Sequence, residues 1–304
     1  MKIYIIGAGA IGKALAVFLK INGKDVEIIR GSVDDGSSYY EEITLSLKDD
    51  SKLKAEIKFN TLINLPVLDG LIILTNKSFG NARLCEKLKG KIHDSPIVIL
   101  QNGLGVERPF IENGFQDVFR CVLFATSQRI SKNEVNYKPV SASPIGVVRQ
   151  RKFSVEAVVN QIDTPGFGFT AEKLIERIVW KKAIANCVFN SICPLLEVDN
   201  GVFHRDKETF SLAKRIIKEC VVISKGEGID LESEEIENQV ITISKMSDGQ
   251  FISTLQDIRN NRETEIDTLN FEIHRIALKK HMENFVLETK LLGDLIKLKS
   301  ALSR

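Results

Sequence analysis

Apolar residues follow two different rhythms along this chain. In the first half they come as short runs, at Lys2–Ile6, Asp25–Ile29, Gly70–Thr75 and Pro96–Leu100. Runs with so little polar alternation predict strands covered on both faces, as in a parallel sheet. Between the first two, Ala14, Leu15, Phe18 and Leu19 recur at helical spacing, which predicts strand, glycine turn, helix, strand. Further strand-like segments fall at Val118–Ala125, Val135–Tyr137 and Ile145–Val148, and the stretch Gln161–Gly168 supplies turn residues. From about Glu172 the period becomes helical to the C-terminus, with almost no proline and no long β-branched run. The pattern predicts an α/β Rossmann-type domain over residues 1–168 and an all-α domain over 169–304.

Composition narrows the partner. The 304 residues exceed the usual size of one core, which suits two domains. The 43% hydrophobic and 27% charged content is ordinary for a soluble globular protein. A net charge of +2, from 42 basic and 40 acidic residues spread along the chain, leaves no footprint for nucleic acid or an anionic membrane. No apolar run approaches the ~20 residues that span a bilayer, and MKIYIIGAGAIG carries no signal-peptide cleavage pattern, so a cytoplasmic protein with a small-molecule partner is expected. The five cysteines show no CxxC pair and read as reduced core thiols. The four histidines form no HxxxH or HExxH pattern, so no metal site is expected.

The strongest candidate chemistry in the first half is Gly7-Ala8-Gly9-Ala10-Ile11-Gly12. GxGxxG alone is weak, but here it leaves a predicted strand and opens a helix. Gly7 serves the tight turn, Gly9 the close approach of a pyrophosphate, and Gly12 the packing of helix on sheet; the helix N-terminus offers its amides to phosphate. The second strand ends in Arg30, near where NAD-binding folds carry an acidic residue for the ribose hydroxyls. A guanidinium there suits a 2′-phosphate and favours NADP(H); the competing reading leaves Arg30 as a solvated strand end with Asp34 or Asp35 reaching the ribose. Two further strands run into Asn76-Lys77-Ser78 and Gln101-Asn102-Gly103, placing Lys77 and Asn102 at carboxyl ends of strands, where such sheets bind ligands.

In the second half, Val179–Asn190 reads VWKKAIANCVFN. Lys182, Asn186 and Asn190 are spaced four apart and share one helix face, while Lys181 lies about 100° away. The other faces are apolar, and an ammonium and amides buried without partners would cost several kcal/mol, so the stripe marks either a satisfied polar network or a ligand cleft. Glu265 precedes Ile266, Leu269, Ile273 and Ile276 at helical spacing and is expected to begin that apolar stripe.

GAGAIG at the N-terminus, QNGLGVE at Gln101–Glu107, WKKAIANCVFN at Trp180–Asn190 and STLQDIRNNRETEID at Ser253–Asp267 together resemble ketopantoate reductases, in order and over nearly the whole chain. The resemblance implies NADPH-dependent reduction of a 2-oxo acid in a Rossmann domain followed by a 6-phosphogluconate-dehydrogenase-like helical domain, in a protein that could form a homodimer. It implies Lys182 and Glu265 as catalytic residues, and Asn102, Asn186, Asn190 and Ser253 as substrate contacts. It implies Gly7, Ala8, Gly9, Ala10, Ile11, Gly12, Arg30 and Lys77 as cofactor contacts, shared with Asn102 and Glu265. Gly80, Ser191-Ile192-Cys193-Pro194 and Phe271 depart from the family's pattern. They keep a paralogue acting on another 2-oxo acid as the alternative, beside a non-catalytic dinucleotide sensor that would need neither Lys182 nor Glu265.

Overall fold

A computed structural model describes residues 1–304 and divides into two compact units. Unit 1 comprises Met1–Gln101 and Val106–Ile175; unit 2 comprises Asn102–Gly105 and Glu176–Arg304.

Unit 1 is built in chain order from β1 (Ile3–Ile6), α1 (Ala10–Ile21), β2 (Val26–Ile29), β3 (Tyr39–Ser46), β4 (Lys52–Asn60), β5 (Leu71–Leu74), α2 (Asn81–Leu88), β6 (Ile97–Ile99), α3 (Arg108–Glu112), β7 (Val118–Cys121), β8 (Ala125–Arg129), β9 (Glu134–Pro139), β10 (Ser143–Arg149), α4 (Val155–Ile162) and β11 (Phe169–Ala171). The strands form one sheet in the order β11-β10-β7-β6-β5-β1-β2-β4-β3-β9-β8. Its centre, β7 to β4, is parallel, and β1 pairs with both β2 and β5. The chain therefore reverses its direction of winding at β1, the point at which doubly wound sheets open a crevice for ligands.

The apolar runs explain this centre. In β1, Ile3 and Ile5 join the core beneath α1 and α4, while Tyr4 and Ile6 join the core beneath α2 and α3. A strand buried on both faces has no position for a polar side chain, hence the unbroken run. Farther from the centre, beyond β2, the strands obey a different rule. In β3 and β4 only one face is buried, through Ile43, Leu45, Ile57 and Phe59, and charged residues alternate on the other. The end of the unit lies at Ile175, past the turn at 161–168, because β11 follows that turn and pairs parallel with β10.

Unit 2 contains α5 (Ile175–Leu196, all but its first residue), α6 (Val202–Arg205), α7 (Lys207–Gly226), α8 (Ser233–Met246), α9 (Ser253–Arg259), α10 (Asn270–Lys279) and α11 (Leu287–Leu302). Ile184, Cys187, Val188 and Phe189 place α5 in the middle of its core, each such side chain contributing roughly 1.5–3 kcal/mol by leaving water. All five cysteines are buried and free of disulfides. Glu265 precedes a 3-10 turn at Ile266–Thr268, Leu269 breaks the backbone at φ −115°, ψ −104°, and α10 starts at Asn270. The apolar positions are buried as expected, but two elements share them.

Candidate functional site

The glycine turn leaves β1 at its carboxyl end. A Cβ on Gly7 would lie 2.6 Å from both Asn76 N and Thr75 Oγ1, and its φ of +128° disfavours any other residue. A Cβ on Gly12 would strike the Gly7 carbonyl oxygen and come within 2.7 Å of Thr75 Oγ1. Both glycines are thus required by the chain's own packing. Gly9 is different. Its backbone is extended, at φ −76° and ψ −179°, and a Cβ there would meet nothing within 4 Å. Internal sterics do not explain that glycine, whereas close approach by a phosphate would. No side chain caps the first turn of α1, and Ala8 and Gly9 are exposed, with Ala10 and Ile11 half-buried. The amides of that turn have the arrangement that holds phosphate.

Arg30 follows β2 directly, and its side chain is only 16% exposed, so it is not a solvated strand end. Its Nη2 donates to Asp35 Oδ1 at 2.8 Å and to the Ser37 carbonyl at 3.2 Å, and its guanidinium lies over the Tyr39 ring at 5.4 Å. Asp34 faces elsewhere. Its Oδ1 accepts from Ile63 N and its Oδ2 pairs with Lys87.

Beside the turn, Thr75 Oγ1 donates to Gly7 O at 3.0 Å, fixing β5 to the glycine loop. Half-buried Lys77 follows two residues on, before α2. A reciprocal amide pair ties α2 to the end of β6: Asn81 Nδ2 donates to Gln101 Oε1 at 2.6 Å, and Gln101 Nε2 to Asn81 Oδ1 at 2.8 Å. Asn102 comes next in the chain. The short segment it opens belongs to unit 2, where Leu104 N donates to Thr268 O at 2.8 Å and Gly103 packs flush against Thr268. Thr268 N and Oγ1 both donate to Glu265 O at 3.1 Å. One residue therefore links the Asn102 loop to the Glu265 turn. Thr75, Asn81 and Thr268 carried no motif, and Gln101 was read only as the first residue of QNGLGVE; only their positions flanking strand ends and glycines could have drawn attention to these roles.

On α5 the two lysines separate. Lys181 Nζ pairs with Glu235 Oε1 of α8 at 2.7 Å, and Arg177 grips the same carboxylate through Nη1 and Nη2 at 3.0 and 2.6 Å. The Lys181 bond, with Arg177 beside it, lowers the Glu235 carboxyl below its ordinary pKa. Lys182 and Asn186, one turn apart, are both half-buried, while the residues between them and the four after Asn186 are all buried. Asn190 does not share that open face. It is 4% exposed, its Oδ1 accepts from Thr254 Oγ1 at 2.7 Å and Ser253 Oγ at 3.4 Å, and its Nδ2 donates to Asn186 O at 3.1 Å. Its carboxamide is spent on holding α9 to α5, behind exposed Ser253. The departures lie outside this face: Cys193 is buried, and Phe271 lies within 5.7 Å of Lys290 and 5.0 Å of Lys297 of α11.

The family model of ketopantoate reductase PanE/ApbA matches residues 3–149, and that of its C-terminal part matches residues 174–299. The chain belongs to the ketopantoate reductase family. A curated 2-dehydropantoate 2-reductase of Pyrococcus horikoshii is 31% identical over 297 residues, covering 94% of this chain and 95% of that one. Among solved structures, a dimeric ketopantoate reductase from Staphylococcus aureus aligns over 100% of both chains with a TM-score of 0.80 at 17% identity. A ternary structure of D-mandelate dehydrogenase with NADH and anilino(oxo)acetate aligns over 100% of this chain and 99% of that one, with a TM-score of 0.84 at 20% identity. These structural likenesses concern the fold, which is the α/β domain and helical domain expected from the sequence. Membership makes the chain an oxidoreductase. No helix is long and apolar enough to cross a membrane.

Proposed function

We propose that this chain is an NADPH-dependent 2-dehydropantoate 2-reductase, forming (R)-pantoate for pantothenate synthesis, with Lys182 as its proton donor. The observation that supports the assignment of the donor is the face of α5 on which it lies: Lys182 and Asn186, one turn apart, are half-buried where the residues between them and the four after Asn186 are buried. NADPH, when bound, supplies the hydride that reduces the keto carbon. The glycine turn and the first turn of α1 hold its pyrophosphate, with Lys77 and Arg30 meeting its other anionic groups.

Hydride addition builds negative charge on the keto oxygen. The Lys182 ammonium stabilises that charge and transfers a proton to the oxygen, completing the hydroxyl group; water then returns a proton to the amine. Asn102, Asn186 and Ser253 orient the substrate's carboxylate and hydroxyl groups by hydrogen bonds. Glu265 keeps the ammonium charged and orients substrate, and the Thr268 link sets Glu265 relative to Asn102. Asn190 acts one step back, by positioning Ser253.

The test is oxidation of NADPH by a panel of 2-oxo acids, followed by its near-ultraviolet absorbance. Ketopantoate should be turned over with the highest kcat/KM. Turnover of another acid with ketopantoate ignored would move the assignment to a paralogous reductase, and NADPH binding with no turnover of any acid would favour a dinucleotide sensor.

A further inference from the structure

The loop between β2 and β3 contains a carboxylate on the very group that a 2′-phosphate would need. Asp35 Oδ1 accepts from Arg30 Nη2 at 2.8 Å, from Ser37 Oγ at 2.6 Å and from Ser37 N at 2.9 Å. The Arg30 guanidinium is further fixed by the Tyr39 ring, which itself stacks on Phe59 at 5.4 Å between centroids. The loop is pinned on both sides of Asp35: Asp34 accepts from Ile63 N at 2.9 Å, and Asn64 Nδ2 donates to Gly36 O at 2.9 Å. The carboxylate is thus held in place rather than waving in solvent. The two Ser37 bonds, with Arg30 beside them, bring its pKa down to about 2, so it is ionised throughout the physiological range.

A 2′-phosphate that takes Arg30 through Nη2 must displace this carboxylate or lie against it, and like charges at such range repel. An unphosphorylated ribose meets no such opposition, because its hydroxyls donate to a carboxylate. We propose that Asp35 is a specificity-determining residue, which by holding Arg30 weakens 2′-phosphate binding and leaves the site open to the unphosphorylated ribose. NADPH preference is then a balance between Arg30 and Asp35 and is smaller than Arg30 alone would give. This inference rests on the reading of unit 1 as a dinucleotide site.

The experiment measures binding of adenosine 2′,5′-bisphosphate and of AMP to the full chain by calorimetry at fixed ionic strength. These ligands differ only in the phosphate concerned, and neither requires turnover. In the natural chain the two dissociation constants should lie within about tenfold of each other. Asp35→Asn, and likewise Asp35→Ala, should tighten the bisphosphate by at least about fivefold with AMP unchanged or weakened. Arg30→Ala should abolish the preference for the bisphosphate. An unchanged ratio of the two constants in both Asp35 variants, or a shift toward AMP, overturns the inference while leaving the dinucleotide reading intact. Failure of both nucleotides to bind the natural chain overturns both.

Discussion

Replacing Gly103 by alanine tests whether the Asn102 loop and the Glu265 turn are one packed unit. Gly103 sits at φ +97°, and an added Cβ would lie 2.5 Å from Thr268 Cβ and 2.6 Å from Thr268 O. Holding a non-glycine residue in that region costs about 1–3 kcal/mol. Overpacking against a backbone carbonyl that cannot rotate away costs about 1–3 kcal/mol more. Opening the gap to relieve it would stretch the Leu104 N to Thr268 O bond of 2.8 Å, worth about 0.5–1.5 kcal/mol. Gly103→Ala should therefore destabilise unit 2 by about 2–6 kcal/mol. The assay is urea unfolding followed by the fluorescence of Trp180, the chain's single tryptophan, which is buried in α5 of the same unit. Thr268→Gly in the same chain removes the Cβ and Oγ1 contacts but leaves both the carbonyl contact and the φ strain, so the pair should recover only the side-chain share of the packing cost. Because Thr268 N donates to Glu265 O, turnover should fall together with stability. A Gly103→Ala chain within about 0.5 kcal/mol of the natural one would refute the reasoning, since it would mean that the loop yields freely.

Two other expectations use the same kind of contrast. Gly12→Ala, which drives a Cβ into the Gly7 carbonyl, should destabilise unit 1 by about 2–4 kcal/mol, whereas Gly9→Ala should leave stability within about 1 kcal/mol and weaken AMP binding at least about tenfold; equal effects of the two on both readouts would contradict the division between packing and ligand glycines. Glu235 has its carboxyl pKa lowered in the folded state by Lys181 and Arg177, so the unfolded chain binds more protons as it acidifies. The stabilisation is present above the ordinary carboxylate value of 4.5 and disappears as pH falls below it. Glu235→Gln should accordingly cost about 1 kcal/mol in urea midpoint near neutrality and much less in acid, and a pH-independent cost would be evidence against the ion-pair account.

What could be read from the sequence follows from which residues are constrained by their own neighbours. The central strands were legible because burial on two faces permits only apolar residues, and the glycine turn because Gly7 and Gly12 answer to local sterics. The paired strands β3 and β4 were not read, since a strand buried on one face only alternates charge with apolar residues and carries a weaker signal. Glu265 and the apolar positions after it were found, but the break at Leu269 has no sequence signature stronger than the helical spacing that spans it. Arg30 was recognised by its position after β2, but its engagement by Asp35 depends on a loop whose path only tertiary contacts fix. Asn190 shared the spacing of Lys182 and Asn186, and periodicity alone could not reveal that α9 covers it.

The most direct test of the account is the choice between adjacent lysines, measured as steady-state reduction of ketopantoate by NADPH in Lys182→Ala and Lys181→Ala chains that bind AMP normally. Lys182→Ala should lower kcat by about a hundred- to ten-thousand-fold, while Lys181→Ala, which loses only a partner of Glu235, should stay within a few-fold of the natural chain. Equal losses in the two variants, or a larger loss in Lys181→Ala, would contradict the assignment of Lys182 as the proton donor.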